Sequence, residues 1–296
     1  MHSLFEAYGE RQRRRGAGKN AQQSAVRYLT MLEEWLKERD ISPELATLED
    51  LEGFTDMLLG RYKPSTVKLA LVQVKGAYSH AHRRGIIPSN PSSELILPKE
   101  PDVEPETFSP QELRQILKTA PSRKHDVMLK LFIFGGLRRI EVCRLKWADV
   151  DFAGQTLTVM GKGSKIRKVP MHQIVHEVLK GWQSHCGMVA YQRGEPMFVD
   201  GKPVTYVLGF GCHPLNSATL ARWIEDCSEA SGIHIKSHTF RKSLATDLYE
   251  RGAREDYIES IMGWAKRTVR QRFYSRVAPE QLLQTILMAY KDCRLV

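Results

Sequence analysis

The sequence predicts a mainly helical protein with one small antiparallel β-sheet, divided into two domains. Three observations carry that prediction. Apolar residues recur at three- and four-residue steps over most of the chain, the signature of amphipathic helices. A proline- and acid-rich stretch without apolar period interrupts them near residue 100. Two short β-prone runs flank a glycine-rich turn at Gly161-Lys-Gly-Ser-Lys165.

The first helix read from this period spans Ser24 to Arg39, with Val26, Leu29, Leu32 and Leu36 inward and Tyr28 and Trp35 widening the face. Thr47 and Asp50 have the spacing of a capping box and open a second helix. A third starts at Ser65 after Pro64, turns Val67, Leu71, Val74 and Tyr78 inward, and stops at Gly85. These helices form a domain over residues 1–98 that includes a basic N-terminal arm carrying Arg11, Arg13, Arg14, Arg15 and Lys19. That arm is open to two readings, a solvated tail or a contact with a DNA backbone.

Residues 99–107 read as an extended, exposed linker, because the prolines fix φ and remove donors. The second domain covers 108–296. It opens on a helix capped by Ser109 with Pro110 at its first position. Val127 to Phe134 is apolar almost all round, as expected of a helix at the centre of a core. Thr156–Val159 and Ile166–Met171 form a hairpin, and the rest is mainly helical. The apolar helix from Pro279 to Met288 is open to two readings, a contact with a neighbouring protomer or packing on its own domain.

Length, composition and charge narrow the function. The 296 residues are 42% hydrophobic, ample for two cores, with mean hydropathy −0.37. No apolar run approaches the roughly 20 residues of a membrane span, and the N-terminus lacks the apolar core of a secretory signal. A cytoplasmic protein is therefore expected. A net charge of +10 suits a polyanion, although charge alone also fits an ordinary basic surface. The five cysteines form no CxxC pair, His185-Cys186 and Cys212-His213 fit no common zinc spacing, and His172 and His176 lack the HExxH glutamate. The two histidines read as surface residues. No metal and no cofactor are expected.

Four strings carry the chemistry: GGLRRIEVC, GKGSKIRKVP, HTFRK and GWAKRTVRQRFYSRV. Gly135-Gly136 permits a sharp turn that delivers Arg138 from a core helix, with Glu141 one turn on to orient its guanidinium. Lys162, on a hairpin turn, is a mobile cation suited to protonating a departing alkoxide. His238 and Arg241 lie one turn apart at a helix N-terminus, which favours an anion. Trp264 offers one indole N–H. Tyr274 has a phenol that is protonated at neutral pH and needs a base or a cationic site to become a nucleophile. Lys165, Arg167, Lys242, Lys266 and Arg267 are candidate DNA contacts.

In this order the motifs resemble those of the tyrosine recombinase, or phage integrase, family, over about Ser109 to Val277. Arg138, Lys162, His238, Arg241, Trp264 and Tyr274 match its six signature positions. Three departures are visible: Lys242 follows Arg241 where many members have His, Trp264 replaces the commoner His, and Tyr274 lies one residue further from Trp264 than is usual. Tyr257 and Tyr290 are fallback phenols. The resemblance implies a core-binding N-terminal domain, an α+β catalytic domain, and double-stranded DNA cut through a 3′-phosphotyrosyl link without metal or ATP. It further implies a tetramer on two duplexes and association with the nucleoid. Two other readings share part of the residue set: a type IB-like topoisomerase or telomere resolvase, and a catalytically inactive DNA-binding accessory protein.

Overall fold

The computed structural model describes residues 2–99, 104–161, 166–192, 198–199, 202–203, 205–209, 212–264, 279–291 and 295. Of residues 187–192, 198–199 and 202–203 it describes the backbone alone. The chain divides into two units, Met1–Val103 and Glu104–Val296. Of the expected linker, residues 100–103 lie outside the described residues, and 104–107 are exposed and without regular structure.

The first unit is four helices: α1 (Ser3–Arg14), α2 (Lys19–Lys37), α3 (Leu48–Leu59) and α4 (Pro64–Arg83). Helix α1 corrects the solvated-tail reading of the basic arm as far as Arg14. Leu4, Phe5 and Tyr8 form a buried stripe at helical spacing, and the place a Cβ would take on Gly76 of α4 is filled by the Tyr8 phenol. Arg11, Arg13 and Arg14 fall in the last turn of α1, where cations complement the helix dipole. In α2 the buried stripe is Ala25, Tyr28, Leu29, Leu32 and Leu36. Val26 faces outward at 47% exposure, against expectation, because Ala25 already lies on the inward line. Thr47 and Asp50 make a reciprocal capping box that starts α3. Lys75 of α4 donates to the carbonyls of Ser92, Ser93 and Leu95 at 2.7, 3.0 and 2.8 Å. That one ammonium pins the irregular segment after α4 and satisfies three backbone acceptors.

The second unit begins with α5 (Pro110–Lys118), capped by a Ser109–Glu112 box, and α6 (Arg123–Ile133). Helix α6 is buried nearly all round and forms the centre of the core. After it come α7 (Arg139–Arg144), a single 3₁₀ turn at Trp147–Asp149, and the strands β1 (Val150–Asp151), β2 (Thr156–Met160) and β3 (Ile166–Pro170). The three strands are antiparallel in the order β1-β2-β3, with Thr156 opposite Pro170 and Met160 opposite Ile166. Leu157 and Val159 of β2 alternate inward as period two demands.

Helix α8 (Gln173–Gln192) follows, then the short pair β4 (Phe198–Val199) and β5 (Lys202–Pro203), α9 (Ser217–Ser231), α10 (Ser237–Glu250), α11 (Glu255–Met262) and α12 (Pro279–Leu287). Phe240 of α10 stacks on Phe132 of α6, centroids 5.9 Å apart and 7° from parallel. This fixes α10 against the central helix. His172 is buried rather than a surface residue: it accepts from the Ile174 N–H at 3.1 Å at the start of α8. Burial pushes its pKa below the ordinary imidazole value. Helix α12 takes the second of its two expected placements in the single chain. Its apolar stripe folds onto its own unit, with Ile286 in the core and Leu282, Leu283 and Leu287 packed against it, so in this chain that face is covered internally. Among the described residues no helix is long and apolar enough to cross a membrane.

Candidate active site

The site starts at the end of α6. Gly136 takes φ +58°, in the left-handed region that costs glycine nothing, and a Cβ there would stand 2.9 Å from Leu244 Cδ2. The turn therefore needs glycine both for its dihedral and for the close approach of α10. It places Arg138 at the N-cap of α7, where the Glu141 carboxylate accepts the Arg138 backbone N–H at 2.8 Å and its Nη1 at 3.0 Å. The other terminal nitrogen, Nη2, donates to the Gly263 carbonyl at 3.0 Å. Arg138 is thus held by its own helix and by the residue that caps α11.

Glu141 is fully buried at its side chain. Burial alone would raise its pKa, but hydrogen bonds from Arg167 and Arg138 outweigh that and hold the carboxyl below its usual range. Arg167 supplies the larger share, with Nη1 2.6 Å from Oε1 and Nη2 3.0 Å from Oε2. The Arg167 Nε donates to the Ile261 carbonyl at 3.4 Å, and its side chain is only 15% exposed. The expectation that Arg167 contacts DNA is corrected on that geometry: all three nitrogens face protein acceptors.

Helix α10 brings His238 and Arg241 to the same place. Arg241 is 1% exposed and donates Nη1 to the Gly136 carbonyl. Its Nε and Nη2 are buried with no partner among the described residues. Burial, and then the guanidiniums of Arg138 and Arg167, press its pKa down to about 9. Such a group is stabilised by an anion more than by anything else the site holds. His238 is shifted below the ordinary imidazole value by burial, then by Arg241, Lys242 and Arg138. Near neutral pH its ring is uncharged and able to accept a proton.

Leu137, Arg138, Arg139, Ile140, Lys236, Ser237, His238 and Arg241 line one open cleft of about 460 Å³. Arg139 and Lys236 were not singled out from the sequence. Their only signal was adjacency, each lying within two residues of a motif residue. Trp264 is 44% exposed, with its backbone N–H on the Glu259 carbonyl at 3.1 Å, and it does not line this cleft. Lys242 is partly exposed on α10. Lys162, Lys165, Lys266, Arg267 and Tyr274 lie outside the described residues. The fallback phenols have other surroundings. Tyr290 is 5% exposed, with its ring 5.8 Å from that of Phe134, and Tyr257 donates to Gln281 at 2.9 Å.

Known proteins resemble this chain in sequence and in fold. A chain from Myxococcus xanthus named tyrosine recombinase XerC is 29% identical over 269 residues, covering 86% of each chain. The fold matches a lambda integrase dimer bound to a COC′ core site with TM-score 0.72 and 18% identity, over 94% of this chain and 98% of that one. It also matches a lambda integrase tetramer bound to a Holliday junction with TM-score 0.70 and 19% identity, over 93% and 77%. The family model described as phage integrase family matches residues 106–281. With more than half its length inside that match, the chain belongs to the phage integrase family, the tyrosine site-specific recombinases that act on DNA.

Proposed function

We propose that the cleft seats the scissile phosphate of a double-stranded recombination site and that Tyr274 attacks it. The observation that carries this reading is Arg241: a buried guanidinium with two donor nitrogens, Nε and Nη2, unpartnered among the described residues, in a cleft it shares with Arg138 and His238. Those donors and the Arg138 guanidinium bind the non-bridging oxygens and stabilise the charge gathered in a pentacoordinate transition state. The Tyr274 oxygen forms a bond to phosphorus as the bond to the 5′ oxygen breaks. His238 takes the phenolic proton and Lys162 delivers one to the departing 5′ oxygen. Trp264, a signature position outside the cleft's lining, donates its indole N–H to the same phosphate only when it moves from the place it holds here.

The product is a 3′-phosphotyrosyl link and a free 5′ hydroxyl. One phosphodiester replaces another, so the bond energy is retained and the 5′ hydroxyl of a partner strand reverses the step. Neither ATP nor metal enters this balance. The first unit grips the duplex through Arg11, Arg13 and Lys19, while Arg139, Lys236 and Lys242 extend the contact around the cleft. Exchange between two duplexes engages four protomers, the assembly that the lambda integrase match on a Holliday junction supports. The place of work is the cytoplasm, on the nucleoid.

The test uses DNA recovered by crosslinking from cells expressing the Tyr274→Phe protein, rebuilt as a substrate nicked beside the scissile phosphate so that cleavage cannot reverse. Wild-type protein should accumulate a covalent complex in EDTA, and Tyr274→Phe should form none. A complex that persists in the variant, or that requires added magnesium, overturns the reading.

A further inference from the structure

Arg167 holds a place that the phosphate-binding residues do not explain. It lies on β3, 26 residues after Glu141 in sequence, and closes both oxygens of that carboxylate. Glu141 Oε1 then accepts from Arg138 and Arg167, and Oε2 from the Arg138 backbone and Arg167. Four donors saturate one buried anion. The stem of Arg167 also fills the space beside Gly263, where a Cβ would stand 2.6 Å from its Cδ and 2.7 Å from its Nε. Gly263 takes φ +58°, and its carbonyl is the acceptor for Arg138 Nη2. One guanidinium therefore touches Glu141, the carbonyl of Ile261 at the end of α11, and the turn that leads to Trp264.

The charge balance gives this contact a consequence. With only Arg138 beside it, the Glu141 carboxylate would draw that guanidinium into a two-pronged pair and cancel its charge. With Arg167 supplying the fork, Glu141 binds the Arg138 guanidinium through one Nη only and leaves a surplus positive charge at the cleft. Lysine cannot reproduce this, since its ammonium is a point charge without the planar fork.

We propose that Arg167 is a positioning residue for strand cleavage, holding Glu141 so that the Arg138 guanidinium is aimed at the phosphate with its charge not offset by that carboxylate, and seating the turn between α11 and Trp264. This rests on the reading of the cleft as the scissile-phosphate site. Arg167→Met and Arg167→Lys are compared with wild type by single-turnover cleavage of the nicked substrate and by equilibrium binding. Losses of about 100-fold for Met and about 10-fold for Lys are expected in cleavage rate, in line with single-donor deletions at oxyanion sites. Affinity for DNA should stay within about 3-fold, because Arg167 itself touches no phosphate.

A second substrate separates positioning from mere folding. In it a methylphosphonate replaces the scissile phosphate, so the reacting centre carries no charge to neutralise. The Arg167→Met deficit should shrink to within about 3-fold on that substrate if Arg167 acts through the charge on Arg138. Equal deficits on both substrates, or wild-type rates for both variants, overturn the proposal. Should Arg167→Met not fold, the Lys variant carries the same comparison alone. Failure of the wild-type protein to form a covalent complex would instead sink the phosphate-site reading itself.

Discussion

At the scale of single residues, Arg241 dominates the energetics. Two unpaired donors on a buried guanidinium cost about 1–3 kcal/mol each until something accepts from them, and the cleft holds more cations than anions to do so. Arg241→Lys keeps the charge and loses the fork, and single-turnover cleavage should fall about 10²–10³-fold. His238 sets the pH response. Its pKa is held below the ordinary imidazole value, and in the proposed mechanism the neutral ring is the form that takes the phenolic proton. Cleavage should therefore be flat through neutral pH and fall only below the usual imidazole value of about 6.5. His238→Gln should remove that acid limb from the rate profile along with most of the rate. Motif spacing made Arg138, His238 and Arg241 legible, because each string is short and local. The direction of Arg167 was not legible. Whether a guanidinium faces solvent or a buried carboxylate depends on a partner 26 residues away, which no local pattern reports.

Among the elements, those whose signals are local were readable. The Thr47 and Ser109 capping boxes, the apolar run of α6 and the β2–β3 hairpin all follow from spacing within a few residues. Helix α1 escaped because three apolar residues among many charged ones make a thin stripe, and their burial depends on packing against α4. Helix α12 was recognised as a helix, but which surface covers an apolar face is a tertiary fact. Thr47→Ala should lower the stability of the first unit by about 1 kcal/mol, measured by urea unfolding. Gly263→Ala meets both a left-handed φ and the Arg167 stem. It should lose cleavage by far more than it loses DNA affinity, measured by the nicked-substrate rate against equilibrium binding.

For the whole molecule, the net charge of +10 and the family membership together make binding an electrostatic event. Affinity should fall linearly on a log–log plot against salt, with a slope of about 0.9 per phosphate neutralised. Arg13→Ala or Lys19→Ala should each lower that slope by about 1 if these residues meet phosphates. The mainly helical fold with its small β2–β3 hairpin sheet was within reach of the sequence, since hydrophobic period and the glycine-rich turn report it directly, whereas the short β4–β5 pair was not. The identity of the nucleophile is the claim on which the rest turns. Digesting the trapped DNA complex with trypsin and mapping the modified peptide by mass spectrometry tests it most directly. The account predicts the nucleotide remnant on the peptide Phe273-Tyr274-Ser275-Arg276. Finding it on a peptide containing Tyr257 or Tyr290, or on no tyrosine, would contradict it.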